Sequence, residues 1–240
     1  MKNVVVMQPQ FFPWRGLFEQ MRLCDEFVHL DDAQFQKGGL TNRIQIKTAN
    51  GPAWLTVPVL RGGHLPPINE TEIDYRSDWR GKTIRKFEML YARAPFVRDA
   101  VALLCEVYDP KPATIGALDI AAVERCAAYL GLHPVFSLSS QTPVTMAKTD
   151  RLVGLLVQRG TKRYVTGLGA LDYLDEPLLA AEGIEVRVMA YERRPYPQLH
   201  GPFDPHVSIL DTIANLGPAA AGALTSPTVA WHDAARMRTA

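Results

Sequence analysis

The stretch that decides the fold runs from residue 3 to residue 32 and reads NVVVMQPQFFPWRGLFEQMRLCDEFVHLDD. Its three consecutive valines, Val4 to Val6, are typical of a strand that is buried on both faces of a sheet. A loop with two prolines follows from Gln8 to Gly16, then a short helix to about Leu23 and a second strand over residues 27–30. Strand, loop, helix and strand in this order predict the start of a parallel α/β unit.

Polar residues follow both of these strands. Gln8 and Pro9 come after the first strand, and Asp31 and Asp32 come after the second. Because ligands of α/β units bind at the carboxyl ends of the strands, we expect a site at this edge. Adjacent strand residues point to opposite faces, so the two aspartates are not expected to form a catalytic carboxylate pair. We expect one to act as a general base or as an anchor for a hydroxyl or amine, and the other to cap a turn.

Two further side chains near this edge are candidates for chemistry. His29 stands two residues before Asp31, so both are expected on the same face, where a carboxylate favours the charged imidazole and permits acid–base catalysis. The alternative is a buried histidine that is satisfied by hydrogen bonds. Cys24 precedes Asp25 and has no cation beside it in the sequence, so we do not expect a reactive thiolate.

A β-hairpin is predicted between residues 42–48 and 53–59, because Asn50-Gly51 is typical of a two-residue type I′ turn. In that register Ile46 faces Leu55 on an apolar face, and Lys47 faces Trp54 on a mixed face. The mixed face is either a solvated surface with a cation–π pair or one side of a pocket that binds an anionic or planar ligand.

The remaining pattern predicts a mixed, largely parallel α/β sheet with flanking helices, a β-hairpin insertion and a helical segment. Helices are predicted at 77–92, 96–108, 113–130, 149–159, 172–181 and 207–216, and strands at 135–138, 163–166 and 184–189. We expect one α/β domain over residues 1–217, made of an N-terminal half (1–76), a helical segment (77–131) and a C-terminal part (132–217). Residues 218–240 are rich in Ala, Gly, Thr and Pro and are expected to be weakly packed or disordered.

Composition excludes several classes of protein. The chain has 240 residues, 47% of them hydrophobic, and a net charge of +1, which argues against a disordered chain and against a generic nucleic-acid binder. It has no apolar run long enough for a membrane span and no signal-peptide pattern, and its three cysteines form no CxxC pair. We therefore expect a cytoplasmic protein without a structural or catalytic metal.

No cofactor is expected either. Gly167-Leu168-Gly169 follows a strand, but Asp172 stands at the third glycine position of a dinucleotide-binding motif, and no P-loop motif exists.

The charge is unevenly distributed, since residues 33–69 contain Lys37, Arg43, Lys47 and Arg61 but no acidic residue. This local positive field favours a negatively charged substrate.

Taken together, the motifs resemble those of the WbqC-like protein family over residues 3–217. The matching stretches are Gln8-Pro9-x-x-x-Pro13-Trp14-x-Gly16, Asp25-x-Phe27-Val28-x-Leu30-Asp31-Asp32-x-Gln34-Phe35, Asn42-Arg43-x-x-Ile46-Lys47, Trp54-Leu55-Thr56-Val57-Pro58, Trp79, Tyr91-x-x-Ala94-Pro95-Phe96, Tyr164-x-x-Gly167, Tyr173-Leu174-Asp175, Tyr196-x-Gln198, Phe203 and Ser208-Ile209-Leu210-Asp211 with Gly217. The chain departs from the family pattern at Met7, where the family usually has His before Gln-Pro. His29 on the next strand is a candidate to supply that imidazole.

The resemblance implies a transferase of sugar, polysaccharide or natural-product biosynthesis, and amide-forming acyl or aminoacyl transfer to a small anionic or carrier-linked substrate fits such pathways. The candidate catalytic residues are His29, Asp31 and Asp32. The candidate substrate-binding residues are Gln8, Trp14, Asn42, Arg43, Lys47, Trp54, Tyr173, Tyr196 and Gln198. The alternatives are a nucleotide-binding or nucleotidyltransferase-like protein and a non-enzymatic accessory protein of a biosynthetic complex.

Overall fold

The computed structural model describes residues 1–60, 65–142, 144–146 and 148–239. Within these residues the main sheet has six strands: β1 (Asn3–Met7), β2 (Glu26–His29), β5 (Val135–Leu138), β6 (Arg163–Gly167), β7 (Glu185–Met189) and β8 (Thr228–Ala230). Their order is β5-β2-β1-β6-β7-β8, and all are parallel except β8, which pairs antiparallel with β7. A separate two-stranded sheet holds β3 (Arg43–Ile46) and β4 (Ala53–Thr56). The predicted fold class is confirmed.

The helices of the described residues flank the sheet. They are α1 (Arg15–Met21), α2 (Trp79–Tyr91), α3 (Val97–Tyr108), α4 (Ile115–Tyr129), α5 (Lys148–Gln158), α6 (Glu176–Ala181), α7 (Ile209–Leu216) and α8 (Trp231–Thr239). Val5 belongs to a large core cluster, which includes residues of α2, α3, α4 and α7. Val4 and Val6 belong to a second cluster, which includes Leu156 of α5 and Leu179 of α6. The three valines are therefore buried on both faces, as their sequence indicates.

The strand order places a topological switch point between β1 and β6. From β1 the chain builds the sheet in one direction through β2 and β5, then returns to the other side of β1 to add β6 and β7. In open α/β sheets, ligands bind in the crevice outside the carboxyl ends of the strands at this reversal. The fold thus supports a site at the edge where β1, β2, β5 and β6 end.

The hairpin forms, but the predicted register was wrong by two residues. Ile44 pairs with Leu55, and Gln45 pairs with Trp54. Thr48 and Gly51 exchange backbone hydrogen bonds of 3.1 and 3.2 Å, which puts Ala49 and Asn50 at the turn centre. A type I′ turn needs positive φ at both central residues, whereas only Gly51 adopts it here, at 98°. A shift of two keeps each side chain on its face, so the apolar face is preserved.

The expectation of a weakly packed or disordered tail was wrong for the described residues after Gly217. Thr228 pairs with Met189 in the main sheet, and Ala220, Ser226 and Ala234 are fully buried. The physical reason is an anchor inside the fold, since Arg22 and Glu19 of the first helical segment bind the backbone of Ser226. Composition alone does not reveal such partners.

No helix in the described part of the chain is long and apolar enough to cross a membrane. Two residues, Arg61 and His64, lie outside the described residues. Arg61 is one of the four cations of residues 33–69.

Candidate functional site

The carboxyl ends of β2 and β5 bring together a cluster of polar side chains, here called the Asp31 cluster. Its members are Asp31, Asp32, Asn69, Ser139, Ser140 and Arg151. The Asp31 carboxylate is buried and accepts four hydrogen bonds: from the Ser139 hydroxyl at 3.1 Å, the Ser140 amide at 3.0 Å, the Ser140 hydroxyl at 2.7 Å and the Asn69 side-chain amide at 3.3 Å. Asp31 is therefore fixed in place from three directions.

These hydrogen bonds decide the charge of Asp31. Burial acts to raise the pKa of this carboxyl, but the hydroxyl and amide of Ser140 and the hydroxyl of Ser139 outweigh it and hold the pKa below its usual value. Hydrogen bonds donated to a carboxylate favour its ionised form. Asp31 is therefore ionised at neutral pH and accepts hydrogen bonds from Ser139 and Ser140 in that state.

The expectation that Asp31 and Asp32 point apart was wrong. The Ser139 hydroxyl contacts Oδ1 of both carboxylates. β2 ends at His29, so the two aspartates lie in the turn that follows, where strand alternation no longer applies. Because a serine hydroxyl has one proton, it can donate to only one of the two carboxylates at a time.

Asp32 is the more accessible of the two carboxylates. Its side chain is 28% exposed, and its Oδ1 lies 2.5 Å from a guanidinium nitrogen of Arg151, whose side chain is 23% exposed. Arg151 lies in the first turn of α5, which starts shortly after the carboxyl end of β5. The edge therefore offers a reachable carboxylate beside a reachable cation.

His29 is paired with Met7 in the β1–β2 register, so the imidazole does lie beside the position where the family usually has histidine. It is fully buried, stacks on Phe136 with 5.7 Å between ring centroids, and places Nε2 3.4 Å from Oε1 of Glu124. It makes no hydrogen bond to Asp31 or Asp32. Neither ring nitrogen has a hydrogen-bond partner among the described residues, so the alternative of a histidine satisfied by hydrogen bonds is not what the structure shows.

Two other candidates lie in or just after the loop that leaves β1. Gln8 directly follows β1 and is partly buried. Trp14 packs edge-on against Tyr191 at 4.8 Å and lies 5.7 Å from the His206 ring. Gly16 is required beside it, because a Cβ at that position would lie 2.3 Å from the indole. Trp14 is thus held by the segments near residues 191 and 206 and lies apart from the Asp31 contacts.

Tyr196 and Gln198 meet at Asp211, a buried residue of α7 that is not among the candidate residues. Oδ1 of Asp211 accepts hydrogen bonds from Tyr196 at 2.7 Å and from Gln198 at 2.8 Å, and Oδ2 accepts one from Tyr91 at 2.7 Å. Burial raises the pKa of Asp211, opposed by these hydrogen bonds and by the charge of Lys47. This Asp211 network joins the hairpin, α2 and α7.

The remaining hairpin candidates contact their own sheet and the loop beside it. The Arg43 guanidinium, not Lys47, lies over the Trp54 ring at 4.2 Å and also binds the carbonyl of Gly38. Lys47 is buried and donates to the carbonyls of Gly201 and Pro202. Asn42 donates to the carbonyl of Val57 at 2.9 Å. We predicted that Arg43 and Lys47 bind one ligand together. In the structure their side chains contact different parts of the protein instead.

Tyr173 is 69% exposed and follows the 3₁₀ turn Leu168–Asp172, which begins where β6 ends.

Cys24 is not activated, because burial raises the pKa of its thiol to about 12, with Asp25 acting in the same direction. The expectation of an unreactive thiol agrees with this environment.

Sequence reasoning missed Ser139, Ser140, Asn69 and Arg151. The two serines directly follow β5, so the strand-end rule that selected Asp31 could also have selected them. Asn69 and Arg151 carried no such signal, because they come from a 3₁₀ turn and a helix whose docking depends on tertiary structure.

The comparisons with known proteins cover most of the chain. The model of the WbqC-like protein family matches residues 8–222. The chain belongs to this family. The matched residues of the WbqC-like family include the whole Asp31 cluster and the Asp211 network, whereas β8 and α8 lie beyond them.

A curated protein matches nearly the whole chain. An uncharacterized protein of Mycobacterium tuberculosis (strain ATCC 25618 / H37Rv), Rv1507c, is 34% identical over 223 residues, which are 92% of this chain and 96% of the relative. No solved structure matches the chain.

Proposed function

We propose that this WbqC-like protein is a transferase of sugar, polysaccharide or natural-product biosynthesis that binds a small anionic or carrier-linked substrate at the carboxyl edge of its sheet. The observation that carries the proposal is the convergence of Asp31 and Asp32 on one serine hydroxyl, with Arg151 beside them. Packing alone does not require so many polar side chains at strand ends, whereas orienting a nucleophile does.

The proposed roles follow from burial and charge. Asp31 is fully hydrogen-bonded and sets the position of Ser139 and Ser140. Asp32 is partly exposed and would accept a hydrogen bond from the amine or hydroxyl of the acceptor. Arg151 would then bind a phosphate or carboxylate of the substrate, since guanidinium groups suit planar bidentate contacts.

The transfer step we propose is acyl or aminoacyl transfer. The amine nitrogen, or hydroxyl oxygen, of the acceptor attacks the acyl carbonyl, and a C–N or C–O bond forms as the bond to the leaving group breaks. The proton lost by the nucleophile passes to Asp32 and from there to the leaving group.

A ligand screen on the purified protein tests this proposal. Acyl and aminoacyl thioesters, nucleotide-sugars and ATP are added singly, and the melting temperature is measured, because a ligand that binds only the folded state stabilises it by about 2.7 kcal/mol at a hundredfold excess over Kd. We expect an anionic donor to stabilise the wild type but not Arg151→Gln. Asp150→Asn is the matched control, since Asp150 is exposed on the same helical turn. Equal shifts in wild type and Arg151→Gln would contradict the proposed site.

Nucleotide binding is the second candidate, and the strand order favours it. The order of the strands and the switch point between β1 and β6 are those of sheets that bind nucleotides at the reversal. Stabilisation by ATP alone, with none from thioesters, would favour nucleotide binding. A stable complex with another biosynthetic protein, without any ligand shift, would instead favour an accessory role.

A further inference from the structure

A surface cleft of about 440 Å³ lies between α2 and α3. It is lined by Glu88 of α2 and by Val97, Arg98, Val101 and Ala102 of α3. None of these residues belongs to the Asp31 cluster or to the Asp211 network. Because its described lining comes from two neighbouring helices, the cleft is open on its outer side, whereas most small-molecule sites enclose their ligand. The cleft therefore suits a protein surface better than a small molecule.

α3 has apolar residues on two opposite sides. Leu103 and Leu104 are buried and belong to the large core cluster. Val101, Ala102 and Cys105 lie on the other side of the helix, because residues two positions apart in an α-helix differ by about 200° in direction. Their side chains are exposed or partly exposed. This outer apolar stripe has the spacing that helices use to pack against other helices.

Two exposed side chains of opposite charge line the cleft, Glu88 on α2 and Arg98 on α3. Neither forms an ion pair within the part of the chain that the structure describes. A uniformly acidic or basic partner would place a like charge against one of them, which is unfavourable. A partner that presents one acid and one base in the reverse arrangement would match both.

A second copy of this chain is such a partner. In a two-fold symmetric dimer, residue i of one subunit contacts residue j of the other, and j contacts i. Two copies placed cleft to cleft would therefore bring each Glu88 to Arg98 of the partner subunit. The same arrangement would cover the outer apolar stripe of α3 in both copies.

We propose that the cleft between α2 and α3 is the interface of a symmetric homodimer, held by the two apolar stripes and by two Glu88–Arg98 pairs. α2 and α3 have 13 and 12 residues, so each is about 20 Å long. A contact between two such helix pairs is at the small end of specific interfaces, and we expect a dissociation constant in the micromolar range. The dimer does not depend on the proposed transferase activity and goes beyond it.

Sedimentation equilibrium of the purified protein over about 1–200 µM tests the proposal. We expect the wild type to pass from monomer to dimer within this range. Glu88→Arg and Arg98→Glu each place like charges in both pairs, so each should raise the dissociation constant about tenfold. Lys82→Glu is the matched control, because Lys82 is exposed on the same helix as Glu88 but points about 120° away from it. Its dissociation constant should equal that of the wild type.

An equimolar mixture of Glu88→Arg and Arg98→Glu separates the interface from any effect on folding. In the mixed dimer every arginine of the two pairs faces a glutamate again, so we expect the affinity of the wild type to return. A wild type that stays monomeric over the whole range would overturn the proposal and leave the cleft to a different protein. Two variants that dimerise as tightly as the wild type, or a mixture that does not regain affinity, would also overturn it, since the dimer would then use another surface.

Discussion

The buried carboxylate of Glu19 accepts a hydrogen bond of 2.6 Å from the backbone amide of Ser226. Both residues are fully buried, and they tie α1 to the segment that leads into β8. The same carboxylate pairs with Arg15, which donates to the carbonyls of Glu192 and Arg194. One acidic side chain thus secures two segments of the C-terminal region.

Replacing Glu19 with Gln should destabilise the protein strongly. The variant can still accept from Ser226, but it leaves Arg15 buried without a counter-charge, and breaking a buried pair costs about 3–5 kcal/mol. Urea unfolding monitored by circular dichroism gives the free energy of unfolding. The control is Glu185→Gln, which breaks the partly exposed pair with Arg163 and should cost less than about 1 kcal/mol. Equal losses in both variants would contradict the argument.

Removing residues 218–240 should lower the melting temperature and promote aggregation. The deletion removes β8 and exposes the edge of β7, and an unprotected edge strand is a template for pairing with other chains. Truncation after Arg236 is the control, since it keeps β8 and the buried Ala234. Light scattering and thermal unfolding distinguish the two, and a soluble, fully stable 1–217 fragment would show that β8 is dispensable.

Features that depend on residues close in sequence were predicted correctly, whereas features that depend on contacts between distant segments were not. Val4 to Val6 and the helical periodicity after residue 77 predicted the main elements, because the spacing of apolar residues along the chain indicates which side chains are buried. The hairpin register failed at Asn50-Gly51, where Thr48 binds the turn by its hydroxyl and shifts it. The convergence of Asp32 and Arg151 could not be predicted, since no local pattern records which helix docks at which strand end.

Asp31 should make stability sensitive to acid. A carboxyl whose pKa is lowered in the folded state adds stability above its unfolded value, about 3.9, and that stability is lost as pH falls through the folded pKa. The difference in unfolding free energy between wild type and Asp31→Asn should therefore be greatest near neutral pH and shrink as pH falls below the unfolded value of about 3.9. Urea unfolding over this range measures it, with exposed Asp150→Asn as the control. A pH-independent difference would mean that Asp31 is not held ionised by its hydrogen bonds.

Tyr91→Phe should be more damaging than the same change at Tyr129. The Tyr91 hydroxyl donates to Asp211 at 2.7 Å and accepts from the Lys47 amide at 3.1 Å, so its loss leaves two buried partners unsatisfied. We expect a cost of about 2–3 kcal/mol. The Tyr129 hydroxyl donates to Asp99 in a partly exposed position, which water can reach. Chemical unfolding of both variants tests this, and similar losses would show that the Asp211 network adds little stability.

Asp119 of α4 should limit stability at high pH. It is fully buried, neither carboxyl oxygen has a hydrogen-bond partner among the described residues, and burial raises its pKa well above the usual value. A carboxyl with a raised folded pKa contributes most below its unfolded value of about 3.9, and this contribution is lost as pH rises toward the folded pKa. Asp119→Asn cannot ionise and should gain stability relative to the wild type as pH increases from about 4 upward.

The measurement is the unfolding free energy of wild type, Asp119→Asn and the exposed control Asp150→Asn across that pH range. The curve of Asp119→Asn should separate from that of the wild type with rising pH, while Asp150→Asn should not do so. Parallel curves for wild type and Asp119→Asn would show that Asp119 titrates alike in the folded and unfolded states. That result would require a partner that keeps the ionised carboxylate solvated inside the helical core, because an ionised carboxylate without one is too costly to bury.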